Sequence, residues 1–382
     1  MGPEPTGPYQ KRTRQRGRAS PFNSSEENMK ISSFLTAGAL ALALSGPALA
    51  AEVEWKMTAG VGEGSFLYQN FMERFVGNVA TLTQGRVEIT SFGAGVLAPA
   101  FKAYEVVQDG IVEAGHSTPS YLVNQDATNA IFASFPGGMS AEATLHWVYE
   151  GGGEEMLQTF RREEMGLHSI VVGIGTSEIM AHSNVKIETV EDLAGLKYRT
   201  SGAFAAVLQN EFGGVPTVVP GNEIYTLLQR KGVDAIEWST PGANITEGFH
   251  EVAPYMIMPG VHQPSFLWEV FVKQETWDAL PADLQTLITA AAKLTTYEGY
   301  TRFGDSDVKA MADFRNTNVE LVVMARAESE KIREAGRNWA QTQAKTQSEA
   351  GSRRMQDILD SYLAYQSNWA ANSGYLVRDG AE

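Results

Sequence analysis

The chain has 382 residues, with 30 Lys and Arg against 45 Asp and Glu, no Cys, and a formal net charge of −15. So acidic a surface argues against nucleic acid or anionic lipid as a partner, and the missing thiols exclude disulfides, thiolate metal sites and cysteine catalysis. The length exceeds that at which a single hydrophobic core usually stops growing, so two lobes are expected.

Residues 1–28 are polar, with Lys11, Arg12, Arg14, Arg16 and Arg18 close together, and read as a mis-started or non-native extension. A secretory signal peptide follows over 29–50: Met29-Lys30 is a basic start, 31–44 an apolar run, and Ala48-Leu49-Ala50 an A-x-A cleavage site. The apolar run is shorter than the ~20 residues that span a bilayer, and no Cys follows the cleavage site to carry a lipid. The expectation is a periplasmic protein cut after Ala50. That cut removes six basic and three acidic residues and leaves 24 against 42.

Beyond it the chain alternates strands and helices. A strand is expected at 53–59. Ser65 is placed to cap a helix over 66–81, a strand follows at 86–92, Pro99 opens a helix to about Gln108, and 112–117 is a third strand. The same order returns at 196–200, 203–212, 215–219, 222–231 and 233–238. The closing pieces match: "QDGIVEAGHST" at 108–118 and "RKGVDAIEWST" at 230–240. Two copies of one β-α-β-α-β plan imply two parallel sheets with crevices at their carboxyl ends. Strands at 167–175 and 266–272 join the copies. Helices run from 281, and a long amphipathic stretch at 325–366 is expected to span both lobes or pack on a second subunit. The fold class is α/β, a two-lobed binding-protein fold. Lobe I is placed over 51–172 with 264–300, lobe II over 173–263 with 301–324, and a C-terminal helical segment over 325–382.

No catalytic set emerges. The chain lacks Walker, G-x-S-x-G and H-E-x-x-H motifs. The glycine-rich loop at 60–64 lacks its third glycine, since position 65 is Ser, and the six His never pair at helical spacing. Arg199 ends a short strand before a small-residue turn into a helix. It is placed either to hold a carboxylate in its planar fork or to form a surface ion pair. Glu237 closes another strand, as a ligand for a cation or hydroxyl or as a solvated charge. Trp238 is a flat cleft wall or core.

At these residues the sequence resembles the extracytoplasmic solute-binding receptors of tripartite ATP-independent periplasmic (TRAP) transporters, the DctP-like family. The markers are "FGAGVLAPAFKAYEVVQDGIVEAGHS" at 92–117, "VEDLAGLKYRTSG" at 190–202, "GNEIYTLLQRKGVDAIEW" at 221–238 and "FVKQETWDALP" at 271–281. The resemblance implies a receptor rather than an enzyme, with two lobes, a long helix across both, a cleft for a small organic acid and membrane transporter subunits as partners. Arg199 matches the carboxylate-clamping arginine. "DAIEW", "VAPYMIMPG" at 252–260 and "YEGGGEE" at 149–155 resemble the branch that binds α-keto acids with a metal cation. There the cation, Na⁺ or Ca²⁺, would be held by Glu237, the main-chain carbonyl of Trp238, and an acid where this chain has Gln263. Glu178 stands where that branch has Gln, so Glu and Gln are exchanged between two positions. If both face one site, two carboxylates are kept and Glu178 joins the ligands of the cation; if Glu178 faces the ligand alone, an amine or hydroxyl is selected instead. Phe66, Tyr68, Tyr121, Phe204 and Trp238 are candidates to line the cleft, and a 2-oxo or 2-hydroxy monocarboxylate is the favoured ligand. The branch also implies a homodimer through an exchanged C-terminal helix. Two alternatives are a binding protein for another importer or a sensor, and a periplasmic enzyme using Glu178 and Glu237 as its acid–base pair.

Overall fold

The computed structural model describes residues 51–376. The extension assigned to 1–28, the signal peptide at 29–50 and the last six residues of the C-terminal segment lie outside the described residues.

Eleven strands, β1 (Val53–Ala59), β2 (Val87–Phe92), β3 (Ala114–Ser117), β4 (Leu167–Gly175), β5 (Ala181–Ser183), β6 (Lys197–Arg199), β7 (Val215–Thr217), β8 (Ala235–Ile236), β9 (Tyr255–Met258), β10 (Phe266–Lys273) and β11 (Glu320–Val323), form two sheets. One is five-stranded, in the order β2-β1-β3-β10-β4. The other is six-stranded, β11-β9-β5-β8-β6-β7. The internal repeat is visible here: β2-β1-β3 and β7-β6-β8 are both parallel triplets with the first strand of the copy in the middle.

Neither sheet is wholly parallel, contrary to the sequence expectation. β10 runs antiparallel to β3 and β4, and β5 antiparallel to β8 and β9. The cause is the path between sheets. β4 carries the chain out of the first sheet and β10 brings it back, so the two run oppositely where they pair. Phe266 faces Gly175 and Lys273 faces Leu167. Both strands are buried nearly throughout, as strands covered on both faces are.

The helix after β1 starts where Ser65 Oγ accepts the Tyr68 N–H at 3.1 Å. It runs on through a π turn, Tyr68–Glu73, into Arg74–Leu82. The longest helix among the described residues is Ala282–Phe314, 33 residues. Leu284, Ile288 and Ala292 join the core of Trp55, Phe71 and Trp277 under the first sheet. Ala310 and Phe314 pack with Ile179 and Met256 of the second. The stretch at 325–366 is not one helix: Arg326–Glu349 and Arg354–Asn372 are separated at Gly351, whose φ of +98° is a left-handed conformation open to glycine. The pair folds back on its own chain, burying Ile332, Trp339, Leu359 and Tyr362 with Phe135, Trp147 and Val207. The two sheets belong to one compact unit.

Behind β10 lies an ion pair that no sequence pattern suggested. Glu269 and Arg161 are both fully buried. Arg161 Nε donates to both Glu269 oxygens at 3.0 and 3.1 Å, its Nη1 donates to Asn129 Oδ1 at 2.7 Å, and the Tyr104 hydroxyl donates to Glu269 Oε1 at 2.6 Å. Ser169 Oγ also donates to Glu269. Such saturation is what keeps a desolvated pair tolerable.

Candidate functional site

Four adjacent strands of the second sheet end on one cavity. Arg199 is the last residue of β6, and Glu237 follows β8, its N–H bonded to the Arg199 carbonyl at 3.0 Å. Glu178 precedes β5. Its N–H donates to the Gln263 carbonyl at 3.2 Å, and the next N–H, of Ile179, donates to the Ser239 carbonyl at 2.9 Å. His262 and Gln263 lie beyond β9, after the Pro259-Gly260 turn. An ideal Cβ on Gly260 would sit 1.8 Å from the Glu178 carbonyl oxygen, so only glycine lets this turn press against the Glu178 backbone. The first sheet supplies the opposite wall: Thr118, Ser120 and Tyr121 beyond β3, Phe266 and Trp268 of β10, and Leu67. Ligands of open α/β sheets bind at such strand ends.

The cavity is tight. Its free volume is small, ≈ 30 Å³. Trp238 forms one side, its ring seated on Gly221, where a Cβ would fall 2.1 Å from the indole. Its far side borders a second hollow, ≈ 300 Å³, with Gly60, Gly62, Ser65 and Asn222.

Arg199 is 1% exposed, and its guanidinium is largely committed to its own chain. Nε and Nη2 donate to the Val219 carbonyl at 3.1 and 2.9 Å; Nη1 donates to the carbonyl and to Oε1 of Glu237 at 2.8 and 3.0 Å. Four of five N–H bonds are thus used, leaving one on Nη2. The sequence suggested a fork gripping both oxygens of a ligand carboxylate; here the fork grips Val219 and Glu237. The guanidinium carbon lies 5.6 Å from the Trp238 ring centre. Glu237 Oε1 also accepts the Ser201 N–H at 2.9 Å.

Glu178 is 6% exposed and, among the described residues, makes no ion pair with Lys or Arg. Burial first, and then the nearby Glu237 carboxylate, push its pKa well above the ordinary carboxylate range, with Arg199 opposing. Gln263 Nε2 donates to its Oε1 at 3.3 Å. Its Oε2 lies 3.4 Å from His262 Nε2, yet neither that oxygen nor either His262 nitrogen has a hydrogen-bond partner among the described residues. One ligand atom each of Glu178, Glu237 and His262 lies within 4.8 Å of the others. Two facing carboxylates with an unpartnered oxygen fit a cation, so the residues present suit the ion that the resemblance implied. Among the described residues no other group of three such side chains was found.

Of the residues singled out in the sequence, Arg199, Glu178, Glu237, Trp238, Gln263 and Tyr121 all line this cavity. Burial raises the Tyr121 hydroxyl to about 12, with Arg199, Glu237 and Glu178 as its charged neighbours. Phe204 does not line it: the ring is in the core, 5.2 Å from that of His262. Phe66 and Tyr68 also pack elsewhere, the former on Phe303, the latter bonded to Ser91 Oγ at 3.1 Å. His262, Phe266 and Trp268 were missed. The signal for His262 was its place beside Gln263 in the Pro-Gly turn; a lone histidine has no period to announce it.

Residues 58–347 match the family model described as bacterial extracellular solute-binding protein, family 7. A monocarboxylate 2-oxoacid-binding periplasmic protein of Nostoc sp. is 31% identical over 253 residues, 65% of this chain and 68% of that protein. A TRAP periplasmic solute binding protein of Pseudoalteromonas atlantica, solved with bound sodium and pyruvate, is 28% identical with a TM-score of 0.77 over 84% of this chain and 95% of its own. One from Colwellia psychrerythraea, with bound calcium and pyruvate, is 27% identical with a TM-score of 0.77 over the same shares. The chain therefore belongs to family 7 of the bacterial extracellular solute-binding proteins, the solute receptors of TRAP transporters.

Proposed function

We propose that this receptor captures a short 2-oxo or 2-hydroxy monocarboxylate together with a cation, in the periplasm, and delivers it to the membrane subunits of a TRAP transporter. The observation that carries the reading is the facing pair Glu178 and Glu237 beside Arg199 in one small cavity at the strand ends. Both carboxylates ionised would leave the site one positive charge short beside Arg199 alone, so burial and Glu237 favour the protonated form of Glu178 until a cation takes the place of that proton. A cation held by Glu178 and Glu237 supplies that charge and offers a binding partner to an anionic ligand. Gln263 and the Trp238 carbonyl are the further oxygen donors assigned, and an all-oxygen set suits Na⁺ or Ca²⁺, the ions named for the two pyruvate-bound relatives. Arg199 then gives the ligand its remaining Nη2–H and its charge, while Tyr121, Phe266 and Trp268 exclude water.

Lobe I is assigned to 51–172 with 264–300 and lobe II to 173–263 with 301–324, the latter bearing the charged residues of the site. Cleavage after Ala50 releases the mature receptor, which performs no turnover.

Calorimetry of the protein with pyruvate and lactate, with and without Ca²⁺ or Na⁺, tests the reading. Expected is tight binding of the acid that weakens when the cation is chelated. A ligand at 100 times its Kd also adds about 2.7 kcal/mol of stability, visible as a rise in Tm. No binding of any monocarboxylate, with or without cation, overturns it. The unpartnered Glu178 oxygen favours one second reading, a ligand ammonium in place of the cation. Binding of an amino alcohol without added metal would establish that reading instead.

A further inference from the structure

We infer that His262 is a nitrogen donor to the cation at Glu178 and Glu237, and that this receptor consequently binds first-row divalent ions such as Mn²⁺, Co²⁺ and Zn²⁺ more tightly than Ca²⁺ or Na⁺. The inference rests on the cation-dependent reading above and departs from its all-oxygen donor set. The geometry is independent of the assignment of Gln263. His262 Nε2 and one oxygen each of Glu178 and Glu237 lie within 4.8 Å of one another, and Nε2 is 3.4 Å from Glu178 Oε2.

The imidazole is 1% exposed, and neither nitrogen has a hydrogen-bond partner among the described residues. A buried ring with both nitrogens idle is costly unless something uses one of them. Phe204 stands at 5.2 Å, tilted 56°, and limits the ring's freedom to turn away. Imidazole raises a site's affinity for Mn²⁺, Co²⁺ and Zn²⁺ far more than for Ca²⁺ or Na⁺, which take oxygen donors. A donor set of two carboxylates and an imidazole is of that kind.

The test uses the purified chain, stripped with chelator and then titrated with each metal alone and in the presence of pyruvate. The expected order is Zn²⁺ and Co²⁺ ahead of Mn²⁺, all ahead of Ca²⁺. Pulsed electron paramagnetic resonance of the Mn²⁺-loaded protein should show a directly bound ¹⁴N, a readout that needs no variant. His262→Gln should lose the nitrogen signal and weaken Co²⁺ by about tenfold or more, with a smaller change for Ca²⁺.

Two results would overturn the inference: a Mn²⁺ complex with no coupled nitrogen, or a wild-type preference for Ca²⁺. Failure of the receptor reading looks different. If Co²⁺ binds with the nitrogen signature and no monocarboxylate binds, the metal site stands and the acid ligand falls. If pyruvate binds equally well with no metal present, the cation-dependent reading falls, and the nitrogen signal and the metal order still decide the inference.

Discussion

Replacing Arg199 with Lys separates what this residue does for the fold from what it does for the ligand. The wild-type guanidinium makes two bonds to the Val219 carbonyl and two to Glu237. A lysine ammonium keeps the charge beside Glu237 but, as a point donor, cannot serve both partners from one position. The Val219 carbonyl is left short of a buried partner, a loss of about 1–3 kcal/mol in stability. For the ligand, the lost group is a single charge-assisted N–H, worth about 1.5–3 kcal/mol, so the Kd for pyruvate should rise about 10- to 150-fold. Arg199→Ala differs in kind: it leaves the Glu237 carboxylate buried without its cation and should cost about 3–5 kcal/mol of stability. Urea unfolding gives the first quantity and calorimetry the second. Wild-type affinity in a folded Arg199→Lys protein would refute the role given to Nη2. Stability unchanged in Arg199→Ala would refute the account of the pair.

The other expectations address the wall, the core and the pH response. Trp238→Ala should join the cavity to the hollow behind it, so that 2-oxo acids with longer chains gain affinity relative to pyruvate; a panel of chain lengths measured by thermal shift would show it, and an unchanged ranking would count against Trp238 as the partition. Arg161→Met strands the Glu269 carboxylate in the core and should lower stability by about 3–5 kcal/mol with little change in ligand Kd; a loss under 1 kcal/mol in urea would contradict the network's role. His116 and His182 are held neutral by burial, at about 3, against 6.5 for a free imidazole. The unfolded chain thus takes up protons between pH 6.5 and 3 that the folded chain does not. Their contribution is complete above 6.5 and is lost as pH falls, at up to about 1.4 kcal/mol per pH unit for each. Denaturation curves at pH 7, 6 and 5 should show that decline, and a flat profile would refute it.

Much of the site was legible because its grammar is local. Arg199 and Glu237 each end a short strand before a turn, and the matching segments at 108–118 and 230–240 marked the ends of β3 and β8. The rest depends on pairings that a linear pattern does not carry. β4 meets β10 in an antiparallel register between residues about a hundred apart, so the expectation of parallel sheets failed there. Arg161 finds Glu269 across 108 residues, and each alone reads as a solvated charge. Phe204 sits on a helix whose apolar face looks the same whether it borders a cavity or a core. The break at Gly351, by contrast, was written plainly as Gly-Ser, and the surrounding helical composition masked it.

The chain passes from one sheet to the other three times: after β4, after β9, and along the 33-residue helix Ala282–Phe314. Two of these links are short loops, and the third is a rod anchored in both cores. The helices Arg326–Glu349 and Arg354–Asn372 add a brace, since their buried residues share one core with Val171 and Leu267 of the first sheet and Ala181 and Ile257 of the second. Parting the two halves would therefore have to bend the long helix or strip that shared core, so the cost of opening is built into the packing far from the cavity.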